Sequence, residues 1–534
     1  MYTKNLTKDL FSSFKGLKDD INGFVNFIKN NKLLTILCWF FLIFSYGIKW
    51  LFYNISADTE IMLNDYEGMS FSWIGIDRFG LVLTKKILKL VPFNPFVANF
   101  LMLCTMFLLL MFLCFMFSSL AKKFKNRAKC LFILPCVFIT HPLFAEQFNY
   151  TLQAFEVSFA IFLAFLAAYL ITKWIFDSKN LTHLILGTIF LIWAFWSYQA
   201  ILFLYISLVL ALYVYAFFNS CKGPDNINEK WDDKIFFRLA AFKYVTTFIV
   251  SYVVYFIVNK VVKTILHAGT AAYLDGMIEW GRQKALVESI KGILNHILGY
   301  RFFCICGFIF FVLALVFFYY KVNNKILFIL SLIGLLGSPF LLAFYLGHPP
   351  VPRSQFSLQL VLALSLFFMT QFLEKKTLLK FFTVVVSMFT AFTQGYRVAN
   401  VFYSEYMRYN YDVFIANKIE ERINILDIED QHSKPIVFVN LLRSPVVAKD
   451  MKCNNIGVSF FEWYNPHDPN MPLGVTYVAR GFMQTIGYNY KLPTNEECKR
   501  ALEISKNMKL WPSPYSVKYE DGIIIVKLPE EFSL

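Results

Sequence analysis

Six ionisable side chains crowd into residues 57–80, ADTEIMLNDYEGMSFSWIGIDRFG: Asp58, Glu60, Asp65, Glu67, Asp77 and Arg78. The stretch directly follows the first long apolar run and directly precedes a Lys-rich helix, in a chain elsewhere poor in acids. Ionised groups at the mouth of a membrane helix are costly to desolvate, so they serve a ligand, an ion or a reaction unless they simply face water. Three more polar clusters lie between apolar runs: His141-Pro-Leu-Phe-Ala-Glu146-Gln147, Trp196-Ser-Tyr198-Gln199 and His348-Pro-Pro-Val-Pro-Arg353. Each alone also fits a structural role, because Pro-rich turns cap helices and Tyr or Trp anchor at interfaces. Together they supply carboxylates, imidazoles, an amide and arginines. That set suits transfer of a sugar from a lipid-linked phosphosugar. A carboxylate takes the proton of the acceptor hydroxyl as it attacks the anomeric carbon, and Arg or Lys near the headgroups receives the departing lipid phosphate. The chain has no P-loop, Gly-rich dinucleotide turn, HExxH or GxSxG, so the usual soluble-enzyme chemistries have no motif here.

The elements that must position these residues are membrane helices. Of 534 residues, 57% are hydrophobic and only 16% charged, whereas soluble domains carry roughly 25% charge. The net charge of +15 does not mark a nucleic-acid partner, because Lys and Arg fall mostly between apolar runs, as the positive-inside rule requires. Ten cysteines sit mostly in or beside apolar runs and show no metal-type spacing. Eleven runs qualify as spans by length: 33–53, 96–119, 130–145, 152–171, 181–197, 200–219, 243–263, 301–320, 326–346, 356–373 and 377–396. With the N-terminus inside, the loops 121–129, 172–180, 221–234, 321–325 and 374–376 are cytoplasmic, and each carries at least two Lys. The polar clusters then share the outer side with residues 400–534. Amphipathic helices are expected at residues 1–32 on the inner surface, and at 81–91 and within 264–300 on the outer one. In the last, Leu286, Ile290, Ile293, Leu294 and Ile297 face lipid, with Arg282, Lys284 and Lys291 at headgroup level. The fold class is thus a polytopic α-helical membrane protein with a small C-terminal extracytoplasmic α/β domain. Within that domain the sequence predicts a polar helix over about 402–425 and a strand over 434–440. A helix follows a Thr494/Glu497 capping box, and a hairpin turns at Asp521-Gly522.

In this order the motifs resemble a known family. ISADTE (55–60) followed by SWIGIDRFGLVLTKKIL (72–88), HPLFAEQFNY (141–150), WSYQA (196–200), and GVSFFEWYNP, LWPSPYSV and DGIIIVKLP in the tail are similar to the Gtr type II-like membrane glucosyltransferases. The resemblance runs from about residue 30 to the end; Asp77 stands where the family pattern leads one to expect Gly. It implies a GT-C type membrane fold in the bacterial cytoplasmic membrane. It also implies transfer of glucose or a related hexose from a polyprenyl-phosphate donor onto a cell-surface polysaccharide, such as O-antigen or a wall glycan. By the same resemblance Asp58 is the general base, with Glu60 its partner or alternate. Arg78 and Arg353 are the candidates for the donor phosphate, and Glu146, Tyr198, Gln199 and His348 for sugar or acceptor hydroxyls. The implied partners, besides membrane lipid, are a donor-synthesising glycosyltransferase and a flippase. A carboxylate pair this close can also hold a divalent metal, Mg or Mn, so metal dependence stays open.

Two other readings share these features. A lipid-linked glycan flippase or transporter requires ionisable groups near mid-membrane or broken helices; Glu156, near the start of the fourth run, is the nearest such residue, and Lys260 and Lys263 cluster at an outer end. A polysaccharide polymerase or ligase shares substrates and outer loops, and only the resemblance separates it from a glucosyltransferase.

Overall fold

The computed structural model describes residues 2–178, 180–221, 234–269, 278–280, 285–298, 325–373, 376–445, 456–463 and 473–530. The predicted span at 301–320 and the rim residues Arg282 and Lys284 lie outside them.

The apolar runs form helices because in lipid every backbone N–H and C=O must be satisfied within its own segment. In chain order the first are α1 (Tyr2–Asn30), α2 (Lys32–Leu51), α3 (Thr59–Asn64), α4 (Tyr66–Gly75), α5 (Phe79–Ile87) and α6 (Pro95–Lys123). There follow α7 (Ile133–Ile139), α8 (Leu143–Asn149), α9 (Thr151–Lys173), α10 (Leu181–Ser197), α11 (Ile201–Cys221) and α12 (Lys234–Ile265). Beyond them come α13 (Leu286–Leu298), α14 (Lys325–Gly337), α15 (Leu341–Leu346), α16 (Phe356–Phe372) and α17 (Thr377–Ile425). Among the described residues, seven helices are long and apolar enough to cross a membrane: α2, α6, α9, α11, α12, α14 continued into α15, and α17. α10 and α16 are shorter apolar helices packed among them. This is a membrane protein.

The expected span at 130–145 is a broken crossing rather than one continuous helix. The chain there forms α7 and α8, broken at Thr140-His141-Pro142, where proline has no N–H to continue the ladder. Each covers only about 10 Å, but in series they carry the chain from Lys129, whose N–H donates to Gln371 Oε1 near the end of α16 at 3.4 Å, to Glu146 and Asn149 at the opposite end. Both are wholly buried, α7 against α2, α6, α16 and α17, and α8 against α9, α16 and α17. A hydropathy window registers such a crossing but not its break. The segment 81–91 also differs from a helix lying on lipid: Leu81, Val82 and Lys85 of α5 are buried, and only its end, Ile87 to Val91, presents exposed apolar side chains. α13 keeps Leu286, Ile290 and Leu294 outward but buries Ile293.

α17 replaces the expected pair of separate helices with one unbroken helix of 49 residues, about 74 Å long and more than twice a bilayer core. Gly395 does not break it; the residue lets α17 press against Phe44 and Ser45 of α2. The far half of α17 carries the C-terminal region, made of β1 (Ile436–Val439), α18 (Leu473–Thr485), α19 (Asn495–Ser505), β2 (Val517–Glu520) and β3 (Ile523–Lys527). The sheet order is β1-β3-β2, with β1 parallel to β3 and β2 antiparallel to it. Asp521 and Gly522 both take positive φ in the β2–β3 turn, and the Thr494/Glu497 capping box is present. Ile415, Ile419 and Ile423 of α17 share one core with Ile436, Phe438 and Val526 of the sheet.

At the opposite, Lys-rich end, Asp20 of α1 pairs with Lys173 and accepts from Tyr169 of α9 (3.0 Å), and lies 3.3 Å from His183 of α10. Glu156, the residue that most favoured a transporter, is tied to Lys85 of α5 at 2.8 Å, both side chains about 1% exposed. Lys85 also lies over the Phe93 ring, 4.6 Å from its centroid. Removing one partner of such a pair strands the other, at roughly 3–5 kcal/mol, whereas apolar replacement of both is often neutral. Glu156→Ala is therefore expected to lower the unfolding temperature of the detergent-purified protein sharply, and Lys85→Met with Glu156→Leu to recover most of the loss; thermal unfolding of the wild type and these two variants checks this.

Candidate active site

The acid loop begins where α2 ends. Asp58 takes φ +71, a left-handed backbone that Asp tolerates better than most side chains. It precedes α3 without capping it through its side chain, so its carboxylate is not spent on the helix end. The two neighbouring acids meet different surroundings. Asp58 is partly buried, and burial raises its pKa while Arg353 and Arg78 oppose the rise. Glu60 is 1% exposed, and neither carboxylate oxygen has a hydrogen-bond partner among the described residues. Burial, then the charge of Asp58, push its pKa well above the usual carboxylate range. The cover over Glu60 is α18: a Cβ on Gly481 would stand 3.2 Å from Glu60 Cγ, and Asn64 Nδ2 donates to the Gly481 carbonyl at 2.8 Å.

Two arginines reach Asp58 from separate elements. Arg353 lies in the Pro-rich turn before α16. Its backbone N–H donates to Glu146 Oε2 at 3.0 Å, its Nη1 to Glu146 Oε1 at 3.3 Å, and its guanidinium lies over the Tyr150 ring. The Tyr150 hydroxyl, its pKa raised by burial, is acted on by Arg353, Asp58, Glu146 and Tyr198 together. Arg78 precedes α5 and lies 4.6 Å from the centroid of the Tyr198 ring; its Nε is buried with no hydrogen-bond partner among the described residues. This approach depends on Gly80, whose missing Cβ would meet the backbone of Trp196 and Ser197 at 2.6–2.7 Å, letting α5 touch the end of α10.

Asp58, Arg78, Glu146, Tyr198 and Arg353 thus converge. Glu146 holds Arg353, and Gln199 holds the Arg78 loop, Nε2 donating to the Ile76 carbonyl at 2.7 Å. His348 Nδ1 lies 2.9 Å from the Pro349 carbonyl oxygen. His141 caps α8, accepting from Leu143 N–H at 3.4 Å. The unexpected Asp77 also has a physical account. Its φ of +63 lies in the region that favours glycine, and its carboxylate is paired with Lys263 of α12 at 2.7 Å. Among the described residues no three His, Cys, Asp or Glu gather as metal ligands.

The support beneath the site went unread in the sequence. Arg408 of α17 is 1% exposed. It donates to Glu405 (3.3 Å), Asp412 (2.7 Å) and the Ile55 carbonyl (2.8 Å), three residues before Asp58. Glu405 accepts from Asn149 Nδ2 at 3.0 Å and from the Gly457 N–H. Asp412 accepts from Ser459 Oγ (2.6 Å) and Phe460 N–H (3.2 Å). Lys49 donates to Asn54 (3.0 Å) and to the Asn149 carbonyl (3.2 Å), which also accepts from Ser56 Oγ at 2.7 Å. The spacing 405, 408, 412 puts three opposite charges on one helical face, a signal present in the sequence.

The comparisons fit this geometry. The family model for glucosyl transferase GtrII matches residues 50–370, more than half of the chain. The chain belongs to the GtrII glucosyl transferase family. No curated protein and no solved structure matches it. The GtrII match contains Asp58, Arg78, Glu146, Tyr198 and Arg353 and ends before α17; Glu405, Arg408, Asp412 and the C-terminal region lie beyond it. Membership in GtrII makes the protein a membrane glycosyltransferase with glucosyl transfer as its activity. Arg408→Ala leaves two buried carboxylates uncompensated and is expected to cost roughly 3–5 kcal/mol. Urea or thermal unfolding with and without the substitution measures it, and an unchanged transition would show that the network carries no such weight.

Proposed function

We propose that this GtrII protein moves glucose or a related hexose from a polyprenyl-phosphate-linked donor to a cell-surface polysaccharide, at the outer face of the bacterial cytoplasmic membrane. In this reading the N-terminus is cytoplasmic and the C-terminal region extracytoplasmic. The observation that supports it best is the partly open Asp58 carboxylate within electrostatic reach of Arg78 and Arg353, at the end of the bundle opposite the Lys-rich connections. Asp58 takes the proton from the acceptor hydroxyl as its oxygen bonds to the anomeric carbon. The bond from that carbon to the phosphate oxygen breaks, and the lipid phosphate departs with the electron pair. Arg353 and Arg78, the latter with its buried unpartnered Nε, stabilise the charge that develops on it. Glu146 and Gln199 act through these arginines by fixing their positions, Tyr198 stacks beneath Arg78, and His348 stands in the Arg353 turn at the acceptor side. Glu60, sealed beneath Gly481, acts on the base by its proximity.

A flippase usually carries an ionisable group poised within the spans, and Glu156 is engaged with Lys85; the transferase reading is therefore preferred.

With a panel of polyprenyl-phosphate hexoses, Asp58→Asn is expected to cut transfer by about 10²–10⁴-fold with the fold intact, and Glu60→Gln by much less. Collapse in Glu60→Gln alone would move the base by two residues. No transfer from any donor, with labelled lipid crossing proteoliposomes, would favour the flippase. The base works ionised, so kcat/KM falls as pH drops through its pKa. Burial raises that pKa, placing the acid limb above the ordinary Asp value of about 3.9. Arg353→Gln removes an opposing charge and is expected to move the limb to still higher pH; a limb that stays put or moves down would separate Arg353 from Asp58.

A further inference from the structure

α18 is held from two sides. On one, Thr476 Oγ1 accepts from Phe438 N–H of β1 at 2.9 Å. On the other, Gly481 seats on Glu60 and its carbonyl accepts from Asn64. Tyr477 lies four residues before Gly481, hence one turn along the same face of the helix. Its side chain is half-buried, 37% exposed, and lies within electrostatic reach of Asp65, Glu60 and Asp58. No hydrogen bond to its hydroxyl is formed among the described residues. Beneath it both Glu60 oxygens are buried and unpartnered. A partly exposed aromatic ring carried on an anchored helix beside the acid loop offers an apolar face with a polar tip at the edge of a charged site. The phosphate-side groups, Arg78 and Arg353, come from α5 and the turn before α16, so the two halves of the site are supplied by different parts of the chain.

Resting on the glycosyl-transfer reading above, we propose that Tyr477 is the sugar-stacking platform of the acceptor subsite, holding a saccharide unit of the polymer beside Asp58. α18 lies outside the residues matched by the GtrII family model. Donor chemistry then belongs to the shared part of the chain, and acceptor choice to the part beyond it.

The test reads binding and turnover separately, on the full-length protein in detergent. Fluorescently labelled wild type, Tyr477→Ala, Tyr477→Phe and Asp58→Asn are applied to an array of bacterial surface oligosaccharides, and polyprenyl phosphate binding is measured alongside. The expected result is glycan binding by wild type, roughly tenfold weaker in Tyr477→Ala, the scale of one lost aromatic contact. Tyr477→Phe restores it, Asp58→Asn keeps glycan binding while losing transfer, and polyprenyl phosphate binding is equal in wild type and both Tyr477 variants. Unchanged glycan binding in Tyr477→Ala, or no glycan bound by wild type, overturns the proposal. Weaker binding of glycan and lipid alike in Tyr477→Ala also overturns it, since that is damage to the fold. Glycan binding that depends on Tyr477 in a protein that transfers nothing sinks the transferase reading and keeps the subsite.

Discussion

Arg408 is the charge on which the geometry of the acid loop rests. A guanidinium buried among helices is costly unless its charge and its donors are all answered, and here Glu405, Asp412 and the Ile55 carbonyl answer them. Each answering group is itself bound elsewhere, Glu405 to Asn149 and Gly457, and Asp412 to Ser459 and Phe460. The same few atoms therefore fix the start of the acid loop, the junction between α8 and α9, and the segment at 457–460. None of these can shift without leaving a buried polar group unmatched. That is a more stringent positional constraint than apolar packing, which tolerates sliding.

Asp58 and Glu60 show how one short loop gives two identical functional groups different properties. Two residues apart, they differ in what faces them: guanidinium groups on one side, a glycine backbone on the other. Burial disfavours ionisation of both; Arg353 and Arg78 offset it at Asp58, whereas at Glu60 the charge of Asp58 adds to it and Arg408 opposes it least of the named causes. Divergent environments of this kind are how paired carboxyls come to hold different roles.

Much of the site was legible because its members lie in short local clusters beside helix ends. Asp58, Arg78, Glu146, Tyr198 and Arg353 stand out by type and placement, and their convergence follows once the helices alternate in direction. What stayed hidden depends on distant partners. The stripe Glu405, Arg408, Asp412 reads as a polar helical face until Ile55 and Asn149, some 250–350 residues away, close over it. Hydropathy likewise read α7 and α8 as one continuous span and missed both the break at Pro142 and their enclosure by other helices, because burial in protein and burial in lipid select the same side chains. Asp77 looked like a departure from pattern; its backbone keeps the conformation glycine would take, while its side chain gains Lys263.

The unbroken length of α17 gives it the mechanics of a lever. Arg408 lies 31 residues along it, about 47 Å from its start, so one degree of lean about the Lys-rich end carries Arg408 sideways by about 0.8 Å. Asp58 and the C-terminal region are fastened to this arm, as is Arg353 through Glu146 of α8 and the Asn149–Glu405 bond, whereas Arg78 stands before α5, which packs against α4, α9 and α10. Tilt of a membrane helix responds to bilayer thickness, and displacements near 1 Å are enough to spoil a reacting geometry. A lean of α17 imposed by a thicker or thinner bilayer would therefore act on the separation between Asp58 and Arg78.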